Sequence, residues 1–295
     1  MTEDALRNLL AIADRGGDIE ALQTKLGSQL KDTRRASIRD NGVAVVPITG
    51  PIFRYANLMT ELSGATSTQV LATDIQTALD NPAVRAIVLD INSPGGQADG
   101  IAEMGRAIHA GRARKPIVAY AGGTMASASY WLGAAASEIV IDRTAIVGSI
   151  GVIATFQDRR AADEKSGVRT IEIVSSQSPD KRPDPTTDEG RAKIQSVVDA
   201  LANVFIADVA AYRGVTPGNV KEKFGRGGLL VGYAAVAAGM ADRLGSLEET
   251  IASLGSRAPN TPSRSSNAPA ARAGDSYSWG TAFDRAAIYE ARRRM

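Results

Sequence analysis

The sequence predicts an α/β fold whose core is a mostly parallel sheet with helices around it. The runs Ala86 to Ile91, Pro116 to Tyr120 and Glu138 to Ile141 are short and almost solidly apolar, without the alternation of a sheet that keeps one face in water. The segments beside them carry apolar residues at helical spacing. From residue 68 strand and helix alternate in short steps, the order from which parallel crossover units are built.

Taken along the chain, residues 2 to 30 place Leu6, Leu9 and Leu10, then Ile19, Leu22, Leu26 and Leu30, at helical spacing, with Gly16-Gly17 where a first helix should stop. An N-terminal helical arm over residues 1–41 is expected, ending in the polar stretch Lys31 to Asn41. Val43 to Ile48 reads as a buried strand whose Pro47 marks its end or a sheet edge. Val70, Leu71, Ile75 and Leu79 share one helical face, as do Ile101, Met104, Ala107 and Ile108. Met125 to Ala136 predicts a helix of small residues, and Val147 to Ile153 a further apolar stretch. Asp188 to Tyr212 predicts a long helix with Ile194, Val197, Val198, Leu201, Val204 and Phe205 on its inner stripe; Leu230 to Leu254 adds helical turns around Gly239 and Gly245. The core thus spans residues 42–255. Residues 256–295 are rich in Pro, Ser and Arg and are expected to form a flexible tail with a short basic helix over Thr281 to Met295.

The 295 residues include no cysteine and one histidine, His109. A thiol nucleophile, a disulfide framework and cysteine-ligated zinc are therefore excluded. One chain cannot build a two-histidine zinc site, and a Ser-His-Asp triad would have to use His109. That residue sits at a helix end beside Ala110-Gly111-Arg112, a structural or surface position. Acid–base work falls to carboxylates, lysines, hydroxyls and backbone groups. The net charge of +2 is uneven, because residues 256–295 hold seven arginines and three acids and leave residues 1–255 at −2. The core thus lacks the basic footprint of a nucleic-acid binder. Met1-Thr2-Glu3-Asp4 is acidic where a secretory signal is basic. The longest apolar runs fall short of the roughly 18 residues of a membrane span, so a cytoplasmic chain is expected.

Two segments stand out chemically. Asp90-Ile91-Asn92-Ser93-Pro94-Gly95-Gly96 follows a strand and precedes a helix. A proline and two glycines can turn the chain sharply and leave amide N–H groups pointing outward, as in an oxyanion hole, although a plain strand-to-helix turn has the same composition. Asp90 and Asp99 are candidates to brace that turn through Asx bonds. In Gly122-Gly123-Thr124-Met125-Ala126-Ser127-Ala128-Ser129, small residues surround Ser127 near a helix start, which suits either attack on a carbonyl or close packing on a sheet.

Together these segments resemble the signal peptide peptidase A family of Ser-Lys proteases, whose fold is similar to that of Clp protease and crotonase, over roughly residues 42 to 250. Gly148-Ser149-Ile150-Gly151-Val152, the spacing of Gly232, Ala235, Gly239, Asp242 and Gly245, and the position of Lys181 after a strand extend the likeness. The resemblance implies Ser127 as nucleophile, Lys181 as general base, Ser149 as the lysine's hydrogen-bond partner, and the N–H groups of Gly95 and Ser127 as the oxyanion hole. It implies no metal and no cofactor. Ser127 would attack a peptide carbonyl to give an acyl-enzyme, with Lys181 taking the proton and returning it to the leaving amine. Such a base must be neutral, which for a lysine requires burial. Ser129 is the rival nucleophile, and only one of the two can face the site because they point about 200° apart on a helix. Lys165 is the rival base, in a helix-end setting.

The resemblance further implies a homo-oligomer with the site completed between subunits, a protein or peptide substrate, and, for a soluble phage or prophage member, processing of capsid or scaffold proteins. The alternatives are a crotonase-fold acyl-CoA enzyme, which would use the same paired amides, and a catalytically inactive assembly scaffold.

Overall fold

A computed structural model describes residues 36–55 and 64–256; of the arm expected over residues 1–41 the first 35 residues, and of the tail expected over 256–295 all but residue 256, lie outside the described residues. A six-stranded sheet runs in the order β1 (Ser37–Ile38), β2 (Val43–Thr49), β5 (Ala86–Asn92), β6 (Ile117–Ala121), β8 (Glu138–Ile141) and β11 (Arg243–Leu244). All its pairs are parallel except β1–β2. The sheet therefore begins a few residues before the boundary expected at 42. Pro47 lies inside β2, and β2 is not an edge strand; β1 pairs only with Ala44 and Val45, so the missing N–H of Pro47 faces no ladder on that side.

Successive side chains of these strands enter two cores. Ala44, Val46, Ile48, Ile87, Leu89, Ile91 and Ala119 face one, covered by α1 (Thr68–Asp80), α2 (Ile101–Gly111) and α3 (Ala128–Ala134). Val43, Val45, Val88, Val118 and Val140 face the other, covered by Ile251 and Leu254 of the C-terminal helix over Leu247–Ser256. Burial on both faces explains why the strands read as unbroken apolar runs.

A second sheet sits over the carboxyl ends of these strands. It consists of β10 (Leu229–Val231) antiparallel to β9 (Ile146–Gly148), which is parallel to β7 (Thr124–Ala126). β3 (Ile52–Phe53) and β4 (Thr66–Ser67) form a parallel pair beside it. The small-residue helix expected from Met125 begins at Ala128 instead, because Thr124–Ala126 is drawn into the ladder with β9 and Met125 bridges Ser93. The region expected to be helical from Leu230 holds β10, a short helix over Tyr233–Ala237 and β11 before the C-terminal helix.

A short helix, α4 (Arg160–Lys165), precedes the long helix α5 (Asp188–Arg213). The Thr187 hydroxyl caps α5 by accepting from the Gly190 amide, and Gly214, with φ 65°, ends it. The apolar stripe is only half used. Phe205, Val209 and Ala210 are buried, and the Phe205 ring stacks on Trp131 at 4.4 Å, but Val197, Leu201 and Val204 are exposed. The inner stripe expected along the helix thus is exposed at Val197, Leu201 and Val204 and becomes buried only from Phe205. By length and composition α5 is also the one helix among the described residues long and apolar enough to cross a membrane, a property the sequence reading did not credit. No residue from 151 to 189 is buried; this segment leaves the core after Ile150 and returns at Gly190.

Two contacts fix the C-terminal half of α5. Arg213 makes a two-pronged ion pair with Asp242 (2.8 and 3.0 Å), and Asp242 also accepts from the amide of Ile139 at 2.7 Å. Asp242→Ala should leave the largely buried guanidinium unpaired and cost about 3 kcal/mol, seen as a lower urea midpoint at unchanged slope. On α2, the His109 ring stacks on Tyr212 at 5.0 Å and accepts from Arg112. Burial, aided by the Arg112 charge, pushes the histidine pKa down to about 4. Below its ordinary pKa of 6.5 the unfolded chain binds a proton that the folded chain refuses. Stability is therefore full above about pH 6.5 and falls as pH drops toward 4. His109→Phe should flatten that decline in thermal melts between those pH values.

Candidate active site

Three segments meet at the carboxyl end of β5. The turn Ser93–Gly96 follows that strand. Ser93 donates its hydroxyl to the Gly50 carbonyl (2.6 Å), accepts the Gly95 amide (3.2 Å), and donates its own amide to the Thr124 carbonyl (2.7 Å). Asn92 accepts from the Thr124 amide through Oδ1 (3.1 Å). Asn92 and Ser93 thus brace the turn, not the two aspartates expected to do so. Asp90 is half-buried within β5, with its carboxyl pushed up by burial, and Asp99 pairs with Arg54 at 2.9 Å.

Ser127 joins β7 to α3 with φ 54° and ψ −124°, a conformation that strains a residue with a side chain. Its amide donates to the Gly148 carbonyl at 2.7 Å and its carbonyl accepts from Trp131 at 3.0 Å, so both sides of the strained residue are held. Its hydroxyl makes no hydrogen bond to any described residue. Ser129 behaves oppositely: it is fully buried and its hydroxyl is shared between the carbonyls of Ser93 and Ala126, both at 2.8 Å. These bonds set the two serines apart: Ser129 stitches the helix start to the turn, and Ser127 keeps an oxygen unbonded among the described residues.

Gly95, with φ 95°, packs its α-carbon on this corner. A Cβ there would lie 2.7 Å from the Ser127 Cβ and 3.0 Å from the Ala128 amide nitrogen. The amides expected to form the oxyanion hole, those of Gly95 and Ser127, are both spent, on the Ser93 hydroxyl and the Gly148 carbonyl respectively. The unspent donors beside them are Gly96 and Ala128, whose amides have no acceptor among the described residues. Gly96 meets Ile52 in a parallel bridge in which Gly95 O and Gln97 N make the bonds, so its own N–H turns to the other side. Sequence reasoning missed these two because it identifies small residues but not which amides the ladders use up.

Gly148 and Ser149 adjoin the corner from β9. Ser149 also has φ 54°, its amide donates to Gly228 O at 2.8 Å, and its hydroxyl is unbonded among the described residues. Lys181 is elsewhere. It ends a 3-10 turn over Pro179–Lys181 in the exposed segment, and no hydrogen bond joins it to Ser127 or Ser149. Lys165 closes the exposed helix α4. Within a single chain the structure brings together Gly95, Ser127 and Ser149, and leaves both lysines outside.

A strained serine with a free hydroxyl beside two unspent amides can support acyl transfer. Residues 109–259 match the model of peptidase family S49, a span that includes Ser127, Ser149 and Lys181. The chain belongs to that family. S49 peptidases have the Clp protease/crotonase-like fold, as the parallel sheet here does. The chain is 34% identical over 206 residues to capsid assembly protease C of Escherichia phage lambda, covering 69% of this chain and 46% of that protein. It is 30% identical over 213 residues to head-tail preconnector protein GP5 of Enterobacteria phage P21 (72% and 42%), and 30% identical over 212 residues to protease 4 of Salmonella typhi (71% and 34%). The chain thus matches less than half the length of each of these relatives.

Proposed function

We propose that this S49 chain is a serine endopeptidase in which Ser127 attacks the peptide carbonyl, Lys181 of a second copy is the general base, and Ser149 orients that lysine. The observation that carries it is the strained, unbonded Ser127 hydroxyl beside the free amides of Gly96 and Ala128. Those two N–H groups would hold the oxyanion as the tetrahedral intermediate forms. The Ser127 proton passes to the uncharged amine of Lys181 and from there to the leaving amine; water then releases the acyl group. A lysine acts as base only when desolvated, and the exposed Lys181 segment, with the uncovered stripe of α5, is what a second copy would cover. The family match favours this chemistry over an acyl-CoA enzyme.

The substrate class we propose is phage capsid or scaffold protein, supported by the names of the two phage relatives, so that the chain works in the host cytoplasm or prohead. The test is mass spectrometry of capsid proteins co-expressed with the chain. Discrete cleavage products should appear with the native protein and with Ser129→Ala, the latter folding less stably by about 1–2 kcal/mol. They should be absent with Ser127→Ala; products that persist in Ser127→Ala would overturn the assignment.

A further inference from the structure

We propose that Thr170–Val174 is an interface strand that adds to the open edge of β10 in a second copy of this chain. The inference rests on the shared-site reading above and goes further by naming the surfaces that meet.

Arg169-Thr170-Ile171-Glu172-Ile173-Val174 holds four β-branched residues (Thr170, Ile171, Ile173 and Val174) and is bounded by turns at Gly167 (φ 71°) and at Ser175–Ser178. Its composition is that of a strand, yet it pairs with no strand among the described residues. Ile171 and Ile173 are 74% and 94% exposed. In an extended chain these two project from one face, with Glu172 on the other. Glu172 pairs with Arg182 at 2.6 Å, which keeps the neighbouring Lys181 beside the strand, so the amine goes where the strand docks.

The complementary surface is β10. β9 occupies one of its edges and the other is open among the described residues. Leu229 and Val231 are both about half exposed and alternate with the less exposed Leu230, giving an apolar edge of the kind that templates strand addition. β10 also stands next to the site, because its partner β9 ends at Gly148, whose carbonyl holds the Ser127 amide. A strand added to β10 would lie about 10 Å from β9, two strand spacings away. Both surfaces are unpaired among the described residues of one chain, and their joining between chains covers the isoleucines, closes the edge and delivers Lys181 to the neighbour's Ser149 and Ser127.

The chain has no cysteine, so introduced thiols report only on their own pairing. In a Ser127→Ala background, chains carrying Ile171→Cys or Ile173→Cys are mixed with chains carrying Leu229→Cys or Val231→Cys and oxidised mildly. At least one of the four mixtures should shift to a disulfide-linked dimer on a non-reducing gel, since facing residues of paired strands bring their Cβ atoms within disulfide range. In a chain without introduced thiols, Ile171→Asp combined with Ile173→Asp should lower the mass measured by light scattering, with the circular dichroism of the folded chain retained. Absence of linkage in all four mixtures overturns the proposal, as does a chain carrying both thiols that closes only on itself. Cross-linking needs no activity: linkage without peptidase activity in the native protein would sink the shared-dyad reading and leave the interface standing, and activity without linkage would do the reverse.

Discussion

Mixing Ser127→Ala protein with Lys181→Ala protein is expected to restore cleavage that neither shows alone. On the mechanism proposed above each variant lacks one member of the dyad, and loss of a nucleophile or its base lowers turnover by on the order of 10⁴-fold or more. The structure separates the two groups within one chain: Ser127 sits at the buried corner between β7 and α3, and Lys181 ends an exposed turn. If the working site takes its serine from one subunit and its lysine from the next, an equal mixture contains sites with Ser127 from the Lys181→Ala chain and Lys181 from the Ser127→Ala chain. Random assortment makes these about a quarter of all sites. Recovery should therefore approach that fraction after subunits exchange, and should follow exchange in time. If differently labelled subunits exchange and no activity returns, the dyad does not form between chains.

How much of this was legible in the sequence varies from residue to residue. The strands from Ala86 to Ile141 were legible because burial on both faces leaves an unbroken apolar run that no other environment requires. β7 was not, because Thr124, Met125 and Ala126 are too few to show a period of their own and become a strand only by pairing with β9, more than twenty residues on. The stripe of α5 was legible as apolar, but periodicity says only that a face must be covered, not that the cover is absent from the chain's own core; Val197, Leu201 and Val204 show that distinction. Ser127 was named through the family resemblance, since its small neighbours alone suit packing as well as catalysis; the two carbonyl acceptors that occupy the Ser129 hydroxyl are supplied only by folding. The amides expected as oxyanion donors, Gly95 and Ser127, already have acceptors, while the next amide along from each, Gly96 and Ala128, has none among the described residues; which N–H is left over depends on which of its neighbours folding has consumed.

Gly95→Ala is expected to be the most damaging single-methyl change near the site that still leaves a folded core. The backbone there is at φ 95°, which an alanine reaches only under strain, and the new methyl would lie 2.7 Å from the Ser127 Cβ and 2.8 Å from the Ala126 carbonyl oxygen. Relief requires the turn and the serine corner to move apart. The Gly96 amide and the Ser127 hydroxyl are carried on opposite sides of that contact, so a shift of a few tenths of an ångström spoils the hole and the line of attack together. Cleavage should fall about 10²–10³-fold, the cost of losing one oxyanion donor, with a stability loss of about 1–3 kcal/mol. Gly96→Ala makes the contrast on the folding side, because its methyl would lie 1.9 Å from the Ile52 carbonyl oxygen, backbone that is tied into the bridge; a large drop in melting temperature or insoluble protein is expected. Gly151→Ala, whose methyl meets nothing within 4 Å, should change neither quantity. Full activity and an unchanged melting temperature in Gly95→Ala would mean that the turn does not abut Ser127, and the donors assigned to the oxyanion would have to be sought on other amides.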